Sequence, residues 1–294
     1  MWTGIDFLLV LQDLRLSLPD FVTDFFNILA RQEFQYFIPI LLGAVFLWCF
    51  GKREGEFLLF NFTFSNLVGY LAKNIAKVPR PWDIDPDIQP TAESKKGAPG
   101  YSLPSGHTTS SVSGYGTAAY LSKNTILRIL FIVMAVLIPF SRMYLGVHTP
   151  MDLIVAIIVV AAVCFVNYKI LAWSHESERN RMYVLVGYLI VAIALSVACD
   201  LTAGKFLSNK MAGLSVAIPL CLLIEERFVG YEVPSASLKD RLTIAMPGLI
   251  VAFVLMEILV RIHTYGVIAS TSAAAVFIIL VYPYLLKRYS GRSA

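Results

Sequence analysis

Residues 141–171 read SRMYLGVHTPMDLIVAIIVVAAVCFVNYKIL. Two properties of this stretch decide the fold class. From Leu153 to Val166 every side chain is apolar. With its flanks, that run reaches the roughly 20 residues an α-helix needs to cross a hydrocarbon core of about 30 Å. Immediately before it stand Ser141, Arg142, His148 and Asp152, groups too costly to hold at a membrane boundary without a use. Thr149 is a natural N-cap, Pro150 a natural first helical residue, and Asp152 falls in the first turn. The unit is a membrane helix with chemistry at its N-terminal end.

The same pattern continues outward. The chain is 57% apolar and only 15% charged, with a mean hydropathy of +0.69, whereas soluble domains are about a quarter charged. Spans are expected at about 35–50, 57–77, 106–122, 126–145, 150–171, 182–199, 211–227 and 242–261, with a further apolar stretch at 264–286. The expected fold is all-α, a polytopic membrane helical bundle of about eight or nine spans. Residues 5–32 are apolar but interrupted by Asp13, Arg15, Pro19, Asp20, Asp24 and Arg31, which predicts two short amphipathic helices lying at the interface. The domain reading is 1–34 interfacial helices, 35–175 a core bundle, and 176–294 additional transmembrane helices. In 106–122, Gly106, Ser110, Gly114 and Ala118 recur every fourth residue, a small-residue ridge suited to a helix shielded from lipid.

A net charge of +4 is too small to argue for nucleic acid. Asp6 stands where a basic n-region would be, so no cleavable signal peptide is expected. Cys49, Cys164, Cys199 and Cys221 fall in or beside apolar segments without metal-ligand spacing and read as small hydrophobes. Lys52, Arg53, Lys123, Arg128, Lys169, Arg179, Arg181, Arg227, Lys239, Arg241, Lys287, Arg288 and Arg292 fall in the connections opposite the polar clusters. The positive-inside rule then puts the clusters outside the cytoplasm.

Two further clusters join the first. Lys73 and Arg80 lie two helical turns apart, with Asn66 another seven residues back and Pro79 and Pro81 ending the helix. Alone, such cations can simply snorkel. Pro104-Ser105-Gly106-His107 reads as a helix start, with Ser105 near the N-cap and exposed N–H groups forming an anion site. His107 is placed to pass a proton to a leaving oxygen. Arg142 offers a fork of donors for phosphate oxygens, and Asp152, if it accepts one ring N–H of His148, leaves the other nitrogen to attack phosphorus. Asp152 as a plain helix-capping carboxylate is the bland alternative. No carboxylate cluster accompanies the histidines, so no metal or other cofactor is expected. His175 and His263 read as structural or solvated, and Glu225, Glu226 and Arg227 as a helix end. Asp200, Lys205 and Lys210 are expected at the interface on the motif face, and 78–105 as a solvated surface connection beside the site.

The three strings, K-x6-RP, PSGH and SR-x5-H-x3-D, resemble the signature of the type 2 phosphatidic acid phosphatase superfamily, in the same order and without substitution, over about residues 35–171. That superfamily also includes vanadium haloperoxidases and glucose-6-phosphatases. The resemblance implies a phosphoric monoester or diphosphate hydrolase in which His148 forms a phosphohistidine and Asp152 orients it. His107 would protonate the leaving group and then activate water. Lys73, Arg80, Ser105, the Gly106 N–H and Arg142 would hold the phosphoryl oxygens without a metal. The expected substrate is a lipid phosphate or polyprenyl diphosphate, and the expected setting a bacterial plasma membrane with the site facing outside. A sugar-phosphate phosphatase, a lipid phosphotransferase and a non-enzymatic transporter of a phosphate-bearing substrate remain open alternatives, as do the headgroup and the oligomeric state.

Overall fold

A computed structural model of the chain describes residues 4–205, 211–262 and 266–290. Lys210, His263 and Arg292 lie outside the described residues. The described residues are mainly helical, with connections that are short except for the one between 76 and 106. In chain order the helices are α1 (Ile5–Ser17), α2 (Asp20–Leu29), α3 (Glu33–Phe50) and α4 (Lys52–Ala76). After a long connection come α5 (106–121), α6 (Thr125–Tyr144) and α7 (Pro150–Ser174). The remainder are α8 (Glu178–Ala203), α9 (212–229), α10 (Leu238–Ile262) and α11, which includes Ile268–Arg288.

Six of these helices (α3, α6, α7, α8, α10 and α11) are long and apolar enough to cross a membrane. This corrects the eight or nine spans expected from the sequence, and the three that fall short do so for identifiable reasons. The 25 residues of α4 are long enough, but they include Lys52, Arg53, Glu54, Glu56, Asn61, Asn66, Lys73 and Asn74. Only about 24 Å of helix is available in α5 at 1.5 Å per residue, and its buried side chains are largely Thr108, Thr109, Ser110, Ser111 and Ser113. Charge at Glu225, Glu226 and Arg227 closes α9. Low hydropathy here reflects burial against protein, where hydrogen bonding compensates polar groups that lipid would not.

The chain divides into two compact units. One comprises the residues up to Pro39 together with Val68–Val163, and it carries all three polar clusters. Here Ile5, Leu8 and Leu11 of α1 pack with Ile88 of the connection and with Phe140 and Met143 of α6. The opposite side of α1 is apolar as well, with Phe7, Val10 and Leu14 exposed. Its two buried polar side chains grip the connection: the Gln12 amide donates to Asp87 O at 2.9 Å and accepts from the Gln89 N–H, while Arg15 donates to Gln89 O and Tyr144 O. From α2, Asn27 Oδ1 accepts from the Thr91 and Ser94 hydroxyls.

The other unit comprises Ile40–Leu67 and the described residues from Cys164 onward. Arg181 donates to both carboxylate oxygens of the fully buried Glu56, at 2.8 and 2.6 Å, and to Glu226 at 2.6 Å. Lys52 pairs with Glu225 at 2.7 Å, so Glu225 and Glu226 are ion-pair partners as well as a helix end. His175 Nε2 lies 3.6 Å from Glu56, and its pKa is pushed down to about 4 by burial and by the charges of Arg181 and Arg53. Asn66 donates within its own helix to Phe62 O. None of the four cysteines forms a disulfide among the described residues, and three of them are buried.

Candidate active site

Helix ends and the connections between them build the site. Arg142 sits in the last turn of α6. The chain then reverses through Gly146, whose φ of +78° is a left-handed conformation open to glycine at no steric cost. The Arg142 carbonyl accepts from the N–H groups of Val147 and His148, at 3.0 and 3.3 Å, which fixes where His148 leaves the turn. Helix α7 follows at once. Asp152 Oδ2 accepts from the Thr149 N–H at 2.8 Å, and the Asp152 N–H reaches back to Thr149 Oγ1 at 3.4 Å, a capping box. The same Oδ2 lies 3.2 Å from His148 Nδ1, so the bland reading of Asp152 as a cap and the reading as a histidine partner are both satisfied by one carboxylate.

The protonation of His148 follows from its other neighbour. Arg80 Nη1 lies 3.1 Å from His148 Nε2. A guanidinium can only donate, so Nε2 carries the lone pair and the ring hydrogen is on Nδ1, directed at Asp152. The ring is 2% exposed. Burial, then the Arg80 charge, push its pKa down to about 3 against the opposing pull of Asp152. His148 is thus a neutral imidazole with its lone-pair nitrogen turned towards a cation. Arg80 is itself desolvated, which lowers its pKa to about 10, so it stays charged at neutral pH.

Four consecutive carbonyls hold the two cations of the first cluster. Arg80 donates from Nη2 to Pro99 O at 3.1 Å and from Nε to Gly100 O at 2.9 Å. Lys73 Nζ donates to Tyr101 O at 3.0 Å and Ser102 O at 2.9 Å. Arg80 Nη1 also donates to Val147 O at 3.1 Å, beside His148. The connection expected to be a solvated loop therefore ends in a segment that orients site residues, although Asp83, Asp87, Glu93, Lys95 and Lys96 are exposed as expected.

Ser105 is the N-cap of α5, its side chain accepting from the Thr108 N–H at 3.3 Å. Its own N–H donates to Asp152 O at 3.0 Å, which joins the PSGH string to α7. Beside Gly106 the space is open: a Cβ there meets nothing nearer than Gln35 Nε2 at 4.0 Å. His107 Nε2 lies 3.1 Å from Ala30 O, just past the end of α2. Arg142 is 1% exposed, and its Nε and Nη2 atoms have no acceptor among the described residues.

Hydrogen bonds thus join Lys73, Arg80, His148, Asp152 and Ser105 into one network, directly or through backbone, and the Arg142 carbonyl shares in it. His107 is tied instead to the N-terminal segment. Three contributors escaped sequence reasoning: the 99–102 carbonyls, the Ala30 carbonyl, and the side chain of Ser102, which donates to Asp152 Oδ2 at 2.6 Å. Backbone acceptors leave no trace in side-chain identity, and a serine three residues before an N-cap looks like any loop serine. The groups present are a neutral imidazole nitrogen, a second imidazole, and a buried guanidinium whose Nε and Nη2 donors are unmatched among the described residues.

No solved structure matches the chain. An undecaprenyl-diphosphatase of Sulfolobus acidocaldarius is 29% identical over 119 residues, which is 40% of this chain and 56% of the relative, so the match spans little more than half the relative's length. The PAP2 superfamily model matches residues 56–176, about two fifths of the chain, an interval that contains all three polar clusters.

Proposed function

We propose that the chain is a metal-independent membrane phosphatase that hydrolyses a lipid phosphate or polyprenyl diphosphate through a phosphohistidine, on the extracytoplasmic face. His148 Nε2 attacks phosphorus as the bond to the leaving oxygen breaks, and His107 gives that oxygen a proton. Water activated by His107 then breaks the P–N bond, releasing phosphate and restoring the imidazole. Lys73, Arg80, Ser105, the Gly106 N–H and Arg142 hold the non-bridging oxygens, supplying the positioning and charge on which phosphoryl transfer depends. Arg80 keeps its proton and redirects the Nη1–H hydrogen bond from His148 Nε2 to a phosphoryl oxygen as substrate arrives, which uncovers the nucleophile.

The observation that carries this reading is the placing of the His148 ring between Arg80 Nη1, 3.1 Å from Nε2, and Asp152 Oδ2, 3.2 Å from Nδ1, a pair of contacts that leaves the lone pair on Nε2. Buried, unmatched Arg142 donors support an anionic ligand beside it. The six apolar helices favour a substrate delivered from the bilayer. The printed activity of the relative favours a diphosphate on an isoprenoid chain. The distribution of basic residues favours a site outside the cytoplasm, as in a bacterial plasma membrane.

The test is phosphate release by the purified protein in detergent with EDTA, beside His148→Ala. The panel is a polyprenyl diphosphate, phosphatidic acid, a sphingoid phosphate and glucose 6-phosphate. Release from a lipid that is abolished in the variant is the expected result. Release from glucose 6-phosphate alone sinks the lipid assignment, and turnover that survives in the variant sinks the phosphohistidine.

A further inference from the structure

Ser102 belongs to none of the three strings, yet it touches more of the site than most residues that do. Its side chain is 1% exposed. Oγ donates to Asp152 Oδ2 at 2.6 Å and lies 3.4 Å from His148 Nδ1. Its N–H donates to Val78 O at 2.8 Å, and its carbonyl accepts from Lys73 Nζ at 2.9 Å. One residue therefore meets the end of the segment carrying Lys73, the ring of His148 and the carboxylate of Asp152.

We propose that Ser102 is a positioning residue for the His148–Asp152 pair: its hydroxyl accepts from the Nδ1 side of the ring, donates to Oδ2, and fixes the angle at which Nε2 meets phosphorus. The physical reason is the number of constraints on Oδ2. Apart from the His148 ring that it orients, that oxygen is held by the Thr149 N–H at 2.8 Å from the chain's own turn, and one such donor leaves the carboxylate and ring free to rock together about the Cβ–Cγ bond. A second donor at 2.6 Å, from a different segment, removes that freedom. Charge-assisted O–H···O⁻ bonds are the short, strong ones, and partners behind a first shell commonly contribute tenfold to a hundredfold. Because Ser102 O also carries Lys73, a shift of this residue moves a phosphate-holding cation and the nucleophile together.

The inference rests on the phosphatase reading for its kinetic consequence, so its test has one arm that needs no substrate. Ser102→Ala is compared with Ser94→Ala, which removes another buried hydroxyl from the same connection, one bonded to Asn27 and not to His148 or Asp152. With whichever panel substrate the wild-type protein turns over, Ser102→Ala should lower kcat by about 10- to 100-fold, with KM changed by less than about threefold. Ser94→Ala should stay within about twofold of wild type. Equal losses in the two variants, or a loss carried by KM, overturn the proposal. In the second arm, the His148 Nδ1–H proton resonance, assigned by its disappearance in His148→Ala, should move in Ser102→Ala and not in Ser94→Ala. An unmoved resonance also overturns it. A moved resonance in a protein that hydrolyses nothing sustains the positioning role and refutes the phosphatase reading. If Ser102→Ala does not fold, Ser102→Cys keeps the volume with a weaker donor and is held to the same outcomes.

Discussion

Asp152→Asn removes a charge from the site while changing its shape very little. In the wild-type protein, Oδ2 accepts from Thr149 N at 2.8 Å, Ser102 Oγ at 2.6 Å and His148 Nδ1 at 3.2 Å. An asparagine oxygen in the same place can accept all three, and its amide group turns away from the donors. The tautomer of His148 should survive too, because Arg80 independently requires a lone pair on Nε2. On the proposed mechanism, what disappears is the attraction between the carboxylate and the positive charge that grows on the ring as Nε2 bonds to phosphorus. A hydrogen bond to a charged group contributes about 1.5–3 kcal/mol. At about 1.36 kcal/mol per decade of rate, that corresponds to a fall in kcat of about one to two decades. KM should change by less than about threefold, since Asp152 faces His148 and not the groups proposed to hold phosphate. The assay is steady-state phosphate release together with acid-quenched trapping of the phosphoenzyme, whose formation should slow by the same factor. A variant with wild-type kcat, or one whose whole deficit lies in KM, would refute the reasoning.

The pKa of His148, depressed to about 3 from its ordinary value of about 6.5, predicts that deprotonation of the nucleophile does not limit kcat/KM above about pH 4; an acid limb near 6.5 that disappears in a His148 variant would contradict this. The same depression means that between about pH 6.5 and 3 the unfolded chain binds the extra proton. Stability should therefore fall with falling pH in that window, by at most about 1.4 kcal/mol per unit, as read by thermal unfolding of the wild type against a folded His148→Gln. Gly146→Ala places a Cβ 3.2 Å from Pro90 Cα at a φ of +78° and should cost about 1–2 kcal/mol, lowering both the unfolding temperature and kcat because His148 leaves that turn. Arg181→Met strands the buried Glu56 carboxylate and should cost about 3–5 kcal/mol, of which a second substitution, Glu56→Gln, should recover a large part; a double variant no more stable than the single one would refute this account.

Legibility differed sharply between elements. Helix α7 announced itself, because Thr149, Pro150 and Asp152 are local capping signals followed by an uninterrupted apolar run. The same was true of Ser105 as the cap of α5. Helix α4 misled because Phe57–Phe64 is apolar enough to suggest lipid, whereas those side chains are mostly buried against protein and the helix carries buried Asn61 and Asn66. Hydropathy records what a side chain avoids, which is water, and does not say whether lipid or protein replaces it. The connection 78–105 misled in the opposite direction. Its composition is that of a solvated loop, but its last residues contribute through carbonyl oxygens, which every residue possesses.

Residue identities and their local order were enough to specify an all-helical membrane chain and its match to the superfamily, because capping, periodicity and a gapped motif are all short-range properties of the sequence. Three-dimensional packing alone determined that Arg80 faces Nε2 and Asp152 faces Nδ1, that Ser102 stands between ring and carboxylate, and that Ala30 holds His107. Those relations join residues up to 77 positions apart. A hydrogen bond extends only about 3 Å, so which atoms meet across such separations depends on how the helices pack.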